Sequence, residues 1–330
     1  MKQLARPISA AALFAIGALL STGALLLAGA LAVEPAAAQR ANLPPLPQLL
    51  TPRQISPMPS AKPTRVVHYG PHPSQVAELY LPPAKAGADS KRPVVVLIHG
   101  GCFRNAAGGF TWVRPAATAL SDKGYAVWSI DYREADEEGG GYPGTYQDVA
   151  KAIDLLREQA AEQNLDLDRV VLFGHSAGGQ MALWAAGRGH LPADSPLRTA
   201  TPLKPRGVLS FGGYGSLARF DSDISSRCGA EIMSKMLPPA TPGTPPAEDP
   251  RFADTSPDRL LPTGVPTVLL HGVFDSFAPP AAGLVYVESA RKAGDRSEIE
   301  VAPVAGHFEG VAPGTPMFAQ AVAAIERLAR

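Results

Sequence analysis

A serine, an aspartate and a histidine follow one another along this chain in an order and setting that suit acyl transfer. Ser176 lies in G-H-S-A-G, Gly174 to Gly178, behind a β-branched run that begins at Val170 and ahead of a helical stretch, Ala177 to Gly187. G-x-S-x-G between strand and helix is the pattern of a nucleophile elbow, a turn too tight for side chains on its flanking glycines. A serine hydroxyl is a weak nucleophile at neutral pH, so it needs a base within hydrogen-bond reach and a carboxylate to orient that base. His307, in "VAPVAGHFEG" directly after the last strand candidate, is the candidate base. Asp275, in "VLLHGVFDSFAPP" just beyond a strand end, is the candidate acid, with Asp254, Asp258 and Glu309 as rivals.

Acyl transfer also needs backbone N–H groups aimed at the developing oxyanion. "HGGCF", His99 to Phe103, follows the strand that ends at Ile98 and offers the N–H groups of Gly101 and Cys102; Ala177, directly after the serine, offers another. His99 is read as a residue that orients this loop by hydrogen bonding, and His175 as one whose side chain points away from the elbow tip.

Positioning these groups requires a sheet. Val94 to Ile98 is a continuous apolar run without alternation, as in a central parallel strand covered on both faces. The pattern then repeats: helix Trp112 to Lys123, strand "YAVWSIDY", helix Thr145 to Gln163, strand Arg169 to Phe173, helix Ala177 to Gly187 and strand Gly207 to Phe211. Strand Thr267 to His271, helix Pro280 to Ala293, strand Glu298 to Val304 and helix Thr315 to Ala329 complete it, after short strands at Arg65 to Tyr69 and Ala77 to Leu81. Strands alternating with helices imply crossover units and a doubly wound, mostly parallel α/β sheet, with Asp275 and His307 at carboxyl ends of strands. Residues 214–261, centred on "PPATPGTPPAEDP", interrupt the alternation as a lid, a binding loop or an irregular excursion within one domain, 65–330.

Upstream, Lys2 and Arg6 precede an apolar stretch from Ile8 to Val33, followed by a small-residue site at Ala36 to Ala38. Residues 1–38 read as a signal peptide, or as an uncleaved anchor, since the run is long enough for a bilayer of roughly 30 Å. Both place the folded domain outside the cytoplasm, periplasmic or secreted. Residues 39–64, with seven prolines between Gln39 and Pro63, read as an extended linker with no helix. Thirty basic and thirty acidic residues balance, which argues against nucleic acid as a partner and for a small uncharged ligand, with a membrane involved only if the leader is retained. The oligomeric state is not encoded in any pattern. Cys102 and Cys228 either form a disulfide in that oxidising compartment or stay as two isolated thiols. The histidines show no H-x-x-x-H spacing with carboxylate support, so no metal site is expected.

Five blocks, "IHGGCF", "YREADEEGGGYPGTYQDV", "GHSAGGQMALWAAG", "TSPDRLLPTGVPTVLLHGVFD" and "AGHF", together resemble the α/β-hydrolase fold superfamily over Arg65 to Arg330, within its esterase, kynurenine formamidase-like and prolyl-oligopeptidase-like group. The resemblance implies Ser176, Asp275 and His307 as a triad with no cofactor. Many relatives carry tryptophan where Phe103 stands, histidine where Gln180 stands, and D-x-x-V-P where this chain has "DSFAP"; the first departure weakens a formamidase assignment. The expected function is that of an exported carboxylesterase acting on small uncharged acyl or aryl esters. Hydrolysis of an N-formyl aryl amide or small peptide is the alternative within the fold, and a catalytically silent binding protein the alternative outside enzymology.

Overall fold

A computed structural model describes residues 47–83, 91–239, 244 and 249–330. The leader, residues 1–38, and the first part of the proline-rich stretch lie outside the described residues.

The β-branched runs assemble into one eight-stranded sheet. Its strands are β1 (Arg65–His68), β2 (Val76–Tyr80), β3 (Arg92–Ile98), β4 (Ala126–Ile130), β5 (Leu165–His175), β6 (Gly207–Phe211), β7 (Thr267–Gly272) and β8 (Ser297–Ala302). They lie in the order β1-β2-β4-β3-β5-β6-β7-β8. The pairings β1–β2 and β2–β4 are antiparallel; all those from β4 to β8 are parallel. This is the α/β-hydrolase fold. β3 shows why the central strands read as unbroken apolar runs: Val94, Val96 and Ile98 enter the core on one face, Val95 and Leu97 that on the other. Each fully buried valine or leucine of this kind contributes about 1.5–3 kcal/mol.

Helices cover both faces. One core is closed by α3 (Gly144–Asp154), α5 (Ala177–Ala186) and α8 (Pro280–Lys292), through Tyr146, Trp184 and Tyr286 among others. The other is closed by α2 (Arg114–Asp122) and α9 (Pro316–Leu328), through Leu120, Phe318 and Ile325. α9 begins at a capping threonine: the Thr315 hydroxyl accepts the Phe318 N–H at 3.0 Å, and Pro316 occupies the first turn, where its missing N–H costs nothing.

Two sequence expectations need correction, and the insertion, left open by the sequence, is described as well. The helix read across Thr145 to Gln163 is two pieces, α3 and α4 (Leu156–Ala160), broken at Leu155. The stretch read as an extended linker carries a short helix, α1 (Pro52–Ile55), because Ile55 is fully buried against the second core and Thr51 and Gln54 form a capping box. Prolines there mark the ends of a packed strap. The insertion is likewise ordered where described: α6 (Leu217–Cys228) and α7 (Ala230–Lys235) bury Ile224, Ile232 and Met233 in the first core.

Candidate active site

β5 delivers Ser176 to the carboxyl edge of the sheet, where its backbone takes φ 55° and ψ −119° before α5 begins. A serine in that region is strained, and the surroundings hold it there. Its N–H donates to the Phe211 carbonyl at 2.8 Å, and its carbonyl accepts from Gln180 N–H at 3.1 Å. The flanking glycines are required by contact: a Cβ on Gly174 would lie 2.0 Å from the Gly178 carbonyl oxygen, and one on Gly178 2.1 Å from that of Ile98.

His307 and Asp275 meet the serine. The Asp275 carboxylate accepts from His307 Nδ1 at 2.7 Å, which leaves the Nε2 lone pair facing Ser176 Oγ at 2.9 Å. Asp275 is held by its other oxygen, which accepts the N–H groups of Phe277 at 2.8 Å and Ala278 at 2.7 Å. His271 steadies the same turn from β7, its Nδ1 donating to the Ala278 carbonyl at 2.9 Å; burial pushes its pKa below the ordinary imidazole value and keeps it neutral. Of the rival acids, Asp254 accepts from Tyr142 Oη and Ser195 Oγ, and Asp258 from Ser256 Oγ, both away from His307.

β3 and β5 are neighbours in register, Ile98 opposite Gly174, so the loop after Ile98 emerges beside the elbow. Gly101, Cys102 and Phe103 all take positive φ, at 144°, 54° and 55°. Such a left-handed turn carries its successive N–H groups toward one side, the geometry an anion site uses. Several bonds fix it. Cys102 is disulfide-bonded to Cys228 at the end of α6, resolving the two options left by the sequence. Arg104 donates from Nε and Nη2 to the Cys228 carbonyl at 3.0 and 2.9 Å. His99 stacks on Tyr132 with ring centroids 4.4 Å apart, and the Tyr132 hydroxyl donates to the His99 carbonyl at 2.9 Å. Burial opposes protonation of His99, but its bond to Asp131 at 2.9 Å and the Asp131 charge outweigh that and hold its pKa above the ordinary value.

Four residues take parts around Ser176 and His307 that the sequence did not suggest, two of them, His175 and Glu309, having been read there only as a residue turned away from the elbow tip and as a rival acid. His175 donates Nε2–H to the His307 carbonyl at 2.7 Å, so it supports the loop that carries His307; full burial pushes its pKa well down and keeps it uncharged. Gly212, at φ 59°, lies against the His307–Asp275 pair, where a Cβ would come within 3.0 Å of His307 Nδ1 and 3.1 Å of Asp275 Oδ2. Glu309 Oε2 accepts Gly306 N–H at 2.8 Å, while Oε1 accepts Leu50 N–H at 2.6 Å. Glu134 is buried beneath the Gly101 turn with neither carboxylate oxygen hydrogen-bonded among the described residues, and burial first, then Asp131, Glu137 and Asp136, push its pKa up to about 8 against the attraction of His99. "YREADEEGGG" carried that carboxylate in plain sight, but only the fold shows it turned inward.

Two hollows flank Ser176. One, of about 30 Å³, is lined by Phe103, Leu217, Ile224, Met233 and the Gln180 side of α5. The other, of about 720 Å³, opens to solvent between the strap residues Thr51 to Arg53, the Gly101 turn, Trp112, Phe277 and Phe308. Among the described residues no cluster of three or more His, Cys, Asp or Glu side chains could hold a metal ion.

The family model described as BD-FAE matches residues 77–285, from β2 into α8, a span that includes Ser176 and Asp275. The chain belongs to the BD-FAE family. With it the protein is placed among esterase-type α/β hydrolases. The BD-FAE match is accompanied by similarity to the probable isoprenylcysteine alpha-carbonyl methylesterase ICMEL1 of Arabidopsis thaliana, 31% identical over 118 residues, which is 36% of this chain and 23% of that protein. The chain thus aligns with only about a quarter of that relative's length. Among solved structures, this BD-FAE chain resembles a truncated carbohydrate esterase from gut microbiota (TM-score 0.64, 20% identity, 81% of this chain and 97% of that one). It also resembles Thermogutta terrifontis esterase 2 phosphonylated by sarin (TM-score 0.61, 20% identity, 80% of this chain and 92% of that one). At that identity the likeness concerns the fold alone.

Proposed function

We propose that this protein is an exported serine carboxylesterase that hydrolyses small uncharged acyl or aryl esters through an acyl-enzyme. The observation that carries this reading is the unbroken chain Asp275 Oδ2, His307 Nδ1, His307 Nε2, Ser176 Oγ, with steps of 2.7 and 2.9 Å, opening on a wide cleft.

The chemistry follows from the tautomer. With Nδ1–H committed to Asp275, His307 Nε2 accepts the serine proton as Oγ bonds to the ester carbonyl carbon. The carbonyl oxygen gains charge and is received by the N–H groups of Ala177, Gly101 and Cys102, each such donor being worth a few kcal/mol in acyl transfer, about 3–4 in measured cases. His307 then passes the proton to the alkoxide as the C–O bond breaks. Water repeats the cycle: its oxygen bonds to the acyl carbon, its proton travels through His307 to Ser176 Oγ, and the acid leaves. Export is supported by the basic, apolar and small-residue sequence of 1–38 and suits an enzyme with a disulfide next to its oxyanion loop.

The test is kcat/KM on an aryl acetate for the wild type and Ser176→Ala. Serine-dependent turnover is expected, with the variant falling to the uncatalysed background; equal rates in the two proteins would remove the proposal.

A further inference from the structure

The two hollows at Ser176 differ more than twentyfold in volume, about 30 against about 720 Å³, and the smaller is also the less open to solvent. Both touch His307, so the disposition of an ester between them is decided by what the reaction requires. In the first half of the cycle the alcohol leaves, and in the second a water must occupy its place against His307 Nε2. The leaving-group side therefore has to be continuous with solvent. The acyl group, by contrast, stays covalently attached through both halves and needs no exit until the end.

From this we infer that the small hollow is the acyl subsite and the open cleft the alcohol subsite, so that the substrate is a short-chain acyl group carried on a bulky alcohol. The inference rests on the esterase reading and adds the direction and size limits of its substrate.

The small hollow takes its limits from the insertion. Ile224 on α6 and Met233 on α7 are 5% and 2% exposed and form its far wall, with Leu217 and Phe103 completing an apolar lining. In the same measure one water needs about 10–15 Å³, so room for about two such spheres suits an acetyl or propionyl tail and not a hexanoyl one. The wall is held in place: the C-terminus of α6 is bonded to the oxyanion turn by the Cys102–Cys228 disulfide, and Arg104 binds its last carbonyl. A long acyl chain therefore meets packed, tethered side chains.

The open cleft is of another kind. Trp112, Phe277 and Phe308 present ring surfaces in it, Phe277 lying stacked on His307 with centroids 4.8 Å apart and 37% exposed. Arg53 of the strap stands at its side. Such a wall offers contact to a large ring-bearing alcohol and places no end-stop on it.

The experiment varies the two ends of the ester separately, using the full mature chain. Aryl acetate, propionate, butyrate and hexanoate vary the acyl group; methyl, phenyl and naphthyl acetates vary the alcohol. For the wild type, kcat/KM is expected to fall at least tenfold from propionate to hexanoate and to hold or rise from phenyl to naphthyl acetate. Met233→Ala and Ile224→Ala, checked for folding by thermal unfolding, are expected to raise the hexanoate-to-acetate ratio about tenfold or more while leaving the naphthyl-to-phenyl ratio unchanged. A size cut-off on the alcohol side, or a flat acyl profile in the wild type, would overturn the assignment of the subsites while leaving the esterase reading intact. Absence of Ser176-dependent turnover on every ester would overturn both.

Discussion

The Glu309 carboxylate joins two distant parts of the chain: one oxygen accepts the N–H of Leu50 in the strap at 2.6 Å, the other that of Gly306 beside His307 at 2.8 Å. The strap that walls the open cleft and the loop that carries the base are thus fastened to one side chain, itself 7% exposed. Removing it takes the acceptor from three backbone donors, the N–H groups of Leu50, Gly306 and, at a longer 3.3 Å, Phe308, and hydrogen bonds to a charged group are worth about 1.5–3 kcal/mol each. Glu309→Ala is expected to lower stability by about 3 kcal/mol in a urea melt and to reduce kcat more than it raises KM, because the base loses its position. Glu309→Gln, which keeps one acceptor, should recover part of both.

Gly212→Ala tests the crowding at the base. The added methyl would sit about 3 Å from both His307 Nδ1 and Asp275 Oδ2 at a backbone φ of 59° that side chains disfavour. Since small misplacements of catalytic groups cost on the order of 10²-fold, kcat should fall by about that factor. Steady-state kinetics on an aryl acetate read this directly, and an unchanged kcat would show that His307 has room to move.

Reduction of Cys102–Cys228 should act on stability and rate together. The bond closes a loop spanning 126 residues, for which chain entropy gives up to about 4–5 kcal/mol and measured disulfides commonly less. It also fastens the oxyanion turn to α6. The Tm is expected to drop several degrees with a thiol reductant or in Cys228→Ser, and kcat to drop with it. Retention of full kcat in the folded, reduced protein would show that Arg104 alone suffices to hold the turn.

Glu134 sets a pH dependence of stability whose sign follows from its raised pKa of about 8. An unfolded glutamate ionises near 4.3, so below about pH 4 both states are protonated and the group makes no difference. As pH rises toward 8 the unfolded chain ionises while the folded one resists, and the native state loses up to roughly 5 kcal/mol, at about 1.4 per unit of pKa difference. Glu134→Gln removes that loss. The Tm of the variant relative to wild type should therefore climb between about pH 5 and pH 8 and then level off; a difference independent of pH would show that Glu134 is already ionised in the folded protein.

The sheet was readable because its central strands are unbroken β-branched runs, as at Val94 to Ile98 and Gly207 to Phe211, and those runs bring Asp275 and His307 to the same edge as Ser176. What stayed hidden depends on contacts that no local pattern encodes. The bond from His175 to the His307 carbonyl spans 132 positions and that from Leu50 to Glu309 spans 259. Ile55 sits among prolines that suggest an open chain, and only its burial in a distant core makes a helix of Pro52–Ile55. α6 and α7 were lost for a related reason: each is short, bounded by Gly229 and by proline-rich sequence, and owes its apolar face to a site that forms only when the chain is folded.

The most direct measurement is the stoichiometry and position of labelling by a small fluorophosphonate, read by intact mass and then by peptide mapping. One label per chain, located on Ser176, abolished in Ser176→Ala and strongly slowed in His307→Ala, is the predicted result. A chain that stays unlabelled while folded, or that is labelled at another residue with Ser176 untouched, would contradict the claim that Asp275 and His307 make this serine a nucleophile.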